Sequence, residues 1–167
     1  MSIPQYDLKE IGEAEAKIVL PGQGRSVITG RSSYTFKVTG EDTYGKFGLF
    51  EARMQPGYGI KPHTHRQLLE MFFVVEGQVT FLVGEHQQVL EKGAIATIPR
   101  NEKHAFANSS DTGSIMLSMF RPAAKREHYF EALAEMAKQA AALDPEALRR
   151  FWEANDQFPV EDNNWPY

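Results

Sequence analysis

The segment KPHTHRQLLE, Lys61 to Glu70, sets two histidines one residue apart and a glutamate shortly after them. A further histidine, His104, lies downstream in PRNEKHAFAN. Three imidazoles and one carboxylate make a donor set of intermediate softness, suited to Fe(II), Mn(II), Co(II), Ni(II) or Zn(II). The chain contains no cysteine, so thiolate ligation and disulfides are excluded and any metal must be held by nitrogen and oxygen. His63, His65, Glu70 and His104 are therefore the candidate ligands of one divalent transition-metal ion, and the residue types do not choose among the five metals. The other histidines, His86 and His128, sit in a hairpin and a helix and read as ordinary surface residues.

The elements around these residues must bring them together. Side chains two apart on a strand point to one face, so His63 and His65 can address one ion. Glu70 is five residues past His65, a step that a regular strand sends to the opposite face. Arg66–Leu69 must therefore bend or bulge. From Ser32 to Phe120, short runs rich in β-branched and aromatic residues alternate with turn signals. Strands are expected at Tyr34–Val38, Gly45–Met54, Glu70–Val75, Gln78–Val83, Gln87–Leu90, Ala94–Ile98, His104–Ala107 and Ser114–Phe120. The Glu76-Gly77 turn reads as joining Glu70–Val75 and Gln78–Val83 in a hairpin. So many short strands suggest a sandwich or barrel. Strand parity from Glu70 and His104 puts Phe72, Val74 and Phe106 on the ligand face, with Phe50 and Met119 as further pocket candidates.

The flanks differ in composition. The first thirty or so residues are an irregular lead-in with a short strand at Ala16–Leu20. Lys125–Leu143 carries Tyr129, Phe130, Leu133, Met136, Ala137 and Ala140 at helical spacing, the pattern of an amphipathic helix. Asp144-Pro145-Glu146 reads as a helix start, with Asp as N-cap and Pro at the first position, and the second helix runs to about Asn155. Both helices are expected to pack on the outside of the barrel. FPVEDNNWPY, with its two prolines, is expected to be irregular. The 167 residues suggest one domain, divided into a lead-in (1–31), a β-barrel (32–122), helices (123–156) and a tail (157–167).

With 18 basic and 22 acidic side chains the net charge is −4, and no dense basic run or helix-turn-helix pattern points to nucleic acid. No apolar run approaches the roughly 20 residues of a membrane span. Nor does the N-terminus carry the apolar core of a signal peptide. A cytoplasmic protein that acts on a small molecule, without nucleic-acid or membrane partners, is the expectation. Exposed sheet edges and the aromatic tail with Trp165 and Tyr167 suggest a homodimer, unless the tail lies across its own barrel.

The stretch Gly57–Gly77, GYGIKPHTHRQLLEMFFVVEG, resembles the first cupin motif: Gly, five residues, His-x-His, three or four residues, Glu, six residues, Gly. The stretch Gly93–Asn108, GAIATIPRNEKHAFAN, resembles the second: Gly, five residues, Pro-x-Gly, two residues, His, three residues, Asn. It departs once, with Asn101 where the family has Gly, and Asn is the residue next best able to adopt positive φ. Fifteen residues, Gln78 to Lys92, separate the motifs. The resemblance implies a mainly β fold, the cupin double-stranded β-helix or jelly-roll-like barrel, here with two C-terminal α-helices. It also implies that His63, His65, Glu70 and His104 are the metal ligands. The segment REHYFEALAEMAKQ and the lead into the barrel resemble single-domain quercetinase-like cupins. By that likeness the chemistry is dioxygenation of a flavonol or other enol-bearing aromatic, with Glu70 as catalytic base as well as ligand. A non-oxidative cupin isomerase or lyase, or a metal-binding sensor without turnover, are the alternatives.

Overall fold

A computed structural model describes residues 16–138 and 144–167. The expected extension of the first helix through Ala140 to Leu143 falls outside them. Among the described residues, eleven strands form two antiparallel sheets. The first sheet has the order β1 (Arg25–Ile28), β2 (Ser32–Val38), β3 (Gly48–Met54), β10 (Ser114–Arg121), β5 (Leu69–Glu76), β8 (Ile95–Ile98). The second has the order β11 (Phe158–Pro159), β4 (His63–Thr64), β9 (His104–Ala107), β6 (Gln78–Val83), β7 (His86–Glu91). This is the double-stranded β-helix expected from the sequence.

Alternation along the strands builds the core. In β5, Glu70, Phe72 and Val74 are buried, and in β10 Ser114, Met116, Ser118 and Phe120 are buried. Phe72, Phe81 and Phe106 form a triangle with ring centroids 5.2 to 5.7 Å apart. Phe50 packs edge-on to Phe36 at 5.4 Å and to Phe120 at 5.6 Å. Each fully buried ring of this kind contributes about 1.5–3 kcal/mol by leaving water.

The expected β5–β6 hairpin does not form. The two strands lie in different sheets, and the chain crosses between them at Gly77, the single residue separating β5 from β6. One residue cannot close an antiparallel reversal, and Gly77 has φ 71° with the carbonyl of Gly113 only 2.7 Å from where a Cβ would stand. The hairpin is instead β6–β7, turning at Gly84-Glu85.

At the N-terminal end, Ala16–Leu20 is not a strand. The strand lies later, at β1, and pairs with β2. The tail also differs from the expected irregular segment. Phe158–Pro159 pairs with His63-Thr64 as β11. Trp165 is buried against Leu82, Ala105 and Ala107, and its indole N–H donates to the Ile60 carbonyl at 2.9 Å. The tail thus lies across its own barrel, and the homodimer expectation now rests on the open sheet edges alone.

Helix α1 (Arg126–Lys138) does more than cover the outside of the barrel, as expected. Its Phe130 stacks on Tyr34 at 4.0 Å and meets Phe50 at 5.2 Å and Phe120 at 6.0 Å, among the inward-facing barrel residues. Helix α2 (Pro145–Ala154) lays Phe151 on Tyr129 of α1 at 5.5 Å with nearly parallel rings. Its start is as expected: the Asp144 carboxylate accepts from the backbone N–H groups of Glu146 and Ala147, with Pro145 at the first position.

Candidate metal centre

The structure resolves the awkward spacing of Glu70. His63 stands on β4 of one sheet and Glu70 on β5 of the other. Arg66-Gln67 is a bend in the chain between the sheets. Glu70 therefore faces the histidines across the barrel interior rather than rejoining them along one strand. His104 on β9 pairs directly with His63 on β4, which places the two rings 4.3 Å apart. One ligand atom from each of His63, His65, Glu70 and His104 lies within 4.8 Å of the others, and all four residues are buried.

Hydrogen bonds orient each ring. The Nδ1–H of His63 donates to the Lys61 carbonyl at 2.9 Å and that of His104 to the Glu102 carbonyl at 3.0 Å. The Nδ1–H of His65 donates to the Asp156 carbonyl. A carbonyl can only accept, so every Nδ1 carries a proton, and in the neutral ring Nε2 is left with a lone pair. His104 Nε2 lies 2.9 Å from Glu70 Oε2, and His65 Nε2 lies 3.1 Å from Glu70 Oε1. The buried His65 Nε2 has no hydrogen-bond partner. Lone pairs facing a carboxylate at such distances require a cation between them, either a shared proton or a metal. The donor set fits a divalent ion, with each imidazole held by an outer hydrogen bond of the kind that fixes metal-binding tautomers.

The electrostatics agree with this geometry. Burial, reinforced by His104 and His65, holds the His63 imidazole well below its usual range and so neutral. Burial alone would raise the Glu70 carboxyl, but His65 and His104 outweigh it and hold Glu70 well below the carboxylate range. For His104, burial alone would favour the neutral ring, and the hydrogen bond to Glu70 reverses this and raises its pKa.

Sequence reasoning missed Asp156, which follows α2. Its carboxylate accepts the backbone N–H groups of Arg66 at 3.1 Å, Gln67 at 2.9 Å and Leu68 at 3.0 Å. With its carbonyl on His65, this one residue clamps the loop between the ligands. Asp156 adopts φ 59°, a conformation for which Asp is among the few tolerant residues. The only local hint was that an Asp follows the helix. Asn101 behaves as expected, with φ 64°, and its N–H donates to the His65 carbonyl at 2.6 Å, tying the second motif to the first.

Beside the cluster is a cavity of about 50 Å³, lined by His63, Glu70, Phe72, Phe106 and the α1 residues Arg126, Tyr129 and Phe130, among others. Phe72 and Phe106 thus stand where parity put them. Phe50 and Val74 are buried on the same inner face but pack behind the lining. Met119 is a correction: in β10 the buried positions are Ser118 and Phe120, and Met119 points to the outer side. Phe120, directly opposite Glu70, takes the place assigned to it. Tyr34, Tyr58 and Gln157 also line the cavity without having been anticipated. A larger groove of about 680 Å³ lies at the far end of the sheet, around Met54, Glu76 and Ser114, and contains none of the ligands. His86 and His128 are exposed, as expected.

The Cupin domain family matches residues 50–120. The chain is similar to quercetin 2,3-dioxygenase of Bacillus subtilis, 24% identical over 149 residues that span 86% of this chain and 42% of that protein. Among solved structures, a predicted oxalate decarboxylase from Thermotoga maritima aligns with a TM-score of 0.60 at 16% identity, over 64% of this chain and 99% of the other. The polyketide cyclase RemF from Streptomyces resistomycificus aligns at 0.58 and 19%, over 64% and 80%. An RmlC-like cupin from Shewanella frigidimarina aligns at 0.57 and 21%, over 70% and 98%. Among the described residues no helix is long and apolar enough to cross a membrane. Residues 50–120 thus match the Cupin domain family, and the two sheets share the double-stranded β-helix fold of these solved cupins.

Proposed function

We propose that this chain is a metal-dependent dioxygenase that acts on a small enol-bearing molecule, with His63, His65, Glu70 and His104 as the ligands. The observation that carries the reading is the convergence of three oriented imidazoles and one ionised carboxylate beside an aromatic cavity. The distant likeness to quercetin 2,3-dioxygenase supports the choice of reaction. These four residues would hold a divalent ion, which would supply Lewis acidity toward a substrate oxygen. Glu70, kept ionised by its neighbours, accepts the proton of the enol hydroxyl. Phe72, Phe106, Phe120 and Phe130 hold the substrate ring and exclude water. The enclosed space is far below the roughly 300 Å³ at which pockets for drug-sized ligands begin. A space of this size suits a small enol better than a flavonol.

Oxygen uptake on a panel running from flavonols to small enols tests the proposal, with protein reconstituted separately with each divalent metal. Uptake that requires metal and is lost in Glu70→Gln supports it. Absence of uptake with every metal contradicts it. One feature favours a non-oxidative isomerase or lyase as the second reading: Glu70 and three tyrosines line a small closed space, as a proton relay would. Metal-dependent exchange of substrate C–H for deuterium without oxygen uptake would favour that reading.

A further inference from the structure

Arg126, the first residue of α1, is 3% exposed and lines the same cavity as His63 and Glu70. Among the described residues it makes no ion pair. Its guanidinium lies over the rings of Tyr129 at 3.8 Å and Phe120 at 4.8 Å. One Nη donates to the Asn155 carbonyl at 3.0 Å and the other to Gln157 Oε1 at 3.2 Å. The Nε–H is buried and has no partner. A second unpartnered donor is close by in the fold: Ser118 also lines the cavity, and its buried Oγ makes no hydrogen bond. Gln157 further accepts from the Tyr129 hydroxyl at 2.7 Å, so the arginine is fixed by neutral hydrogen-bond partners.

A buried guanidinium is ordinarily matched by a carboxylate, because an isolated buried charge is strongly unfavourable. The planar fork of arginine is suited to bidentate capture of a carboxylate. Stacking on Tyr129 and Phe120 fixes the plane of the fork while leaving its edge free to donate. Among the described residues no carboxylate pairs with Arg126: Glu70 shares the cavity but is engaged by His65 and His104, and the buried Glu127 forms no ion pair, so the cavity is where a paired anion can stand.

We propose that Arg126, assisted by Ser118, is an anion subsite that takes the carboxylate of a small substrate. The substrate is then a small acid, held at one end by Arg126 while its enol or hydroxyl oxygen turns toward the His63–Glu70 side. Only this orientation rests on the metal-centre reading. Capture of the carboxylate by Arg126 requires no metal, so the two ideas fail separately.

The test is calorimetric titration of the metal-free protein with pyruvate and lactate, and with their neutral isosteres pyruvamide and lactamide. The acids are expected to bind at least tenfold more tightly than the amides. Arg126→Met should abolish the preference while its circular dichroism stays that of wild type, and Arg126→Lys should retain part of it. Equal binding of acids and amides, no binding of the acids, or an undiminished preference in Arg126→Met would overturn the proposal. If Arg126→Met does not fold, the comparison of acids with amides on the wild-type protein decides alone. Repeating the titration on zinc-loaded protein reads the orientation: tighter acid binding than in the metal-free protein supports it, and unchanged binding removes it without touching the subsite.

Discussion

The cavity has two walls of different origin. The barrel wall carries His63, His65, Glu70 and His104 on strands or their immediate extensions, and strand pairing and parity set their positions. The cap wall, from α1 and the segment after α2, carries Arg126, Tyr129 and Gln157 and is held by side-chain hydrogen bonds between distant parts of the chain. Asn155, Asp156 and Gln157 join the walls. Asn155 and Gln157 fix Arg126, while Asp156 between them fixes the ligand loop and His65. A rigid lattice thus presents the donors, and a three-residue clasp aligns the cap with them.

The comparison breaks most readily at the barrel wall. Replacing His65 or His104 with alanine should lower metal affinity by more than about 100-fold, beyond the effect of losing an outer partner. Competition with a chromogenic chelator measures this. Asp156→Ala removes the clasp and should cost about 10–100-fold in metal affinity by freeing the His65 ring and its loop. In the same variant, melting should show a loss of about 1–3 kcal/mol from the abandoned N–H donors. Asp156→Asn, which tolerates the same positive φ, should lose less of both.

Acidity separates the groups within the cluster. His63 and Glu70 have folded-state pKa values below their ordinary ones, so the stability they contribute is lost as pH falls from 6.5 and from 4.5 respectively. His104 is raised, so its contribution is present below 6.5 and drains away as pH climbs through its folded-state value. Metal-free protein should therefore melt highest near neutrality and lower on either side. Metal affinity should rise with pH as the His104 proton is displaced more easily. Melting curves and chelator competition across pH check both directions. The smallest effect belongs far from both walls: Asp144→Ala removes the α2 N-cap and should cost about 1 kcal/mol with no change in metal affinity.

The same contrast governs what the chain discloses before it is folded. His63 and His65 are legible because two-residue spacing on a strand has one meaning, and Asn101 because few side chains accept positive φ. Phe72 and Phe106 follow from parity. Met119 does not, because alternation along its own strand turns Ser118 and Phe120 inward, with Phe120 opposite Glu70. Glu70 itself looked like a defect in one strand, since nothing local reveals that the chain changes sheets at Arg66-Gln67. The same sheet change hides at Gly77, where a turn signal suggested a hairpin. Arg126, Asp156 and Gln157 are not legible at all. Their partners lie 28 to 91 residues away, where no period or motif connects them.

The central claim is that these four residues hold one divalent ion. Titrating metal-free protein with Co(II) while following visible absorption tests it most directly, because the spectrum reports the donors around the ion. One equivalent should saturate a spectrum of mixed nitrogen and oxygen coordination, and Glu70→Gln should change that spectrum. Failure to saturate, or a spectrum identical in wild type and Glu70→Gln, would contradict the account.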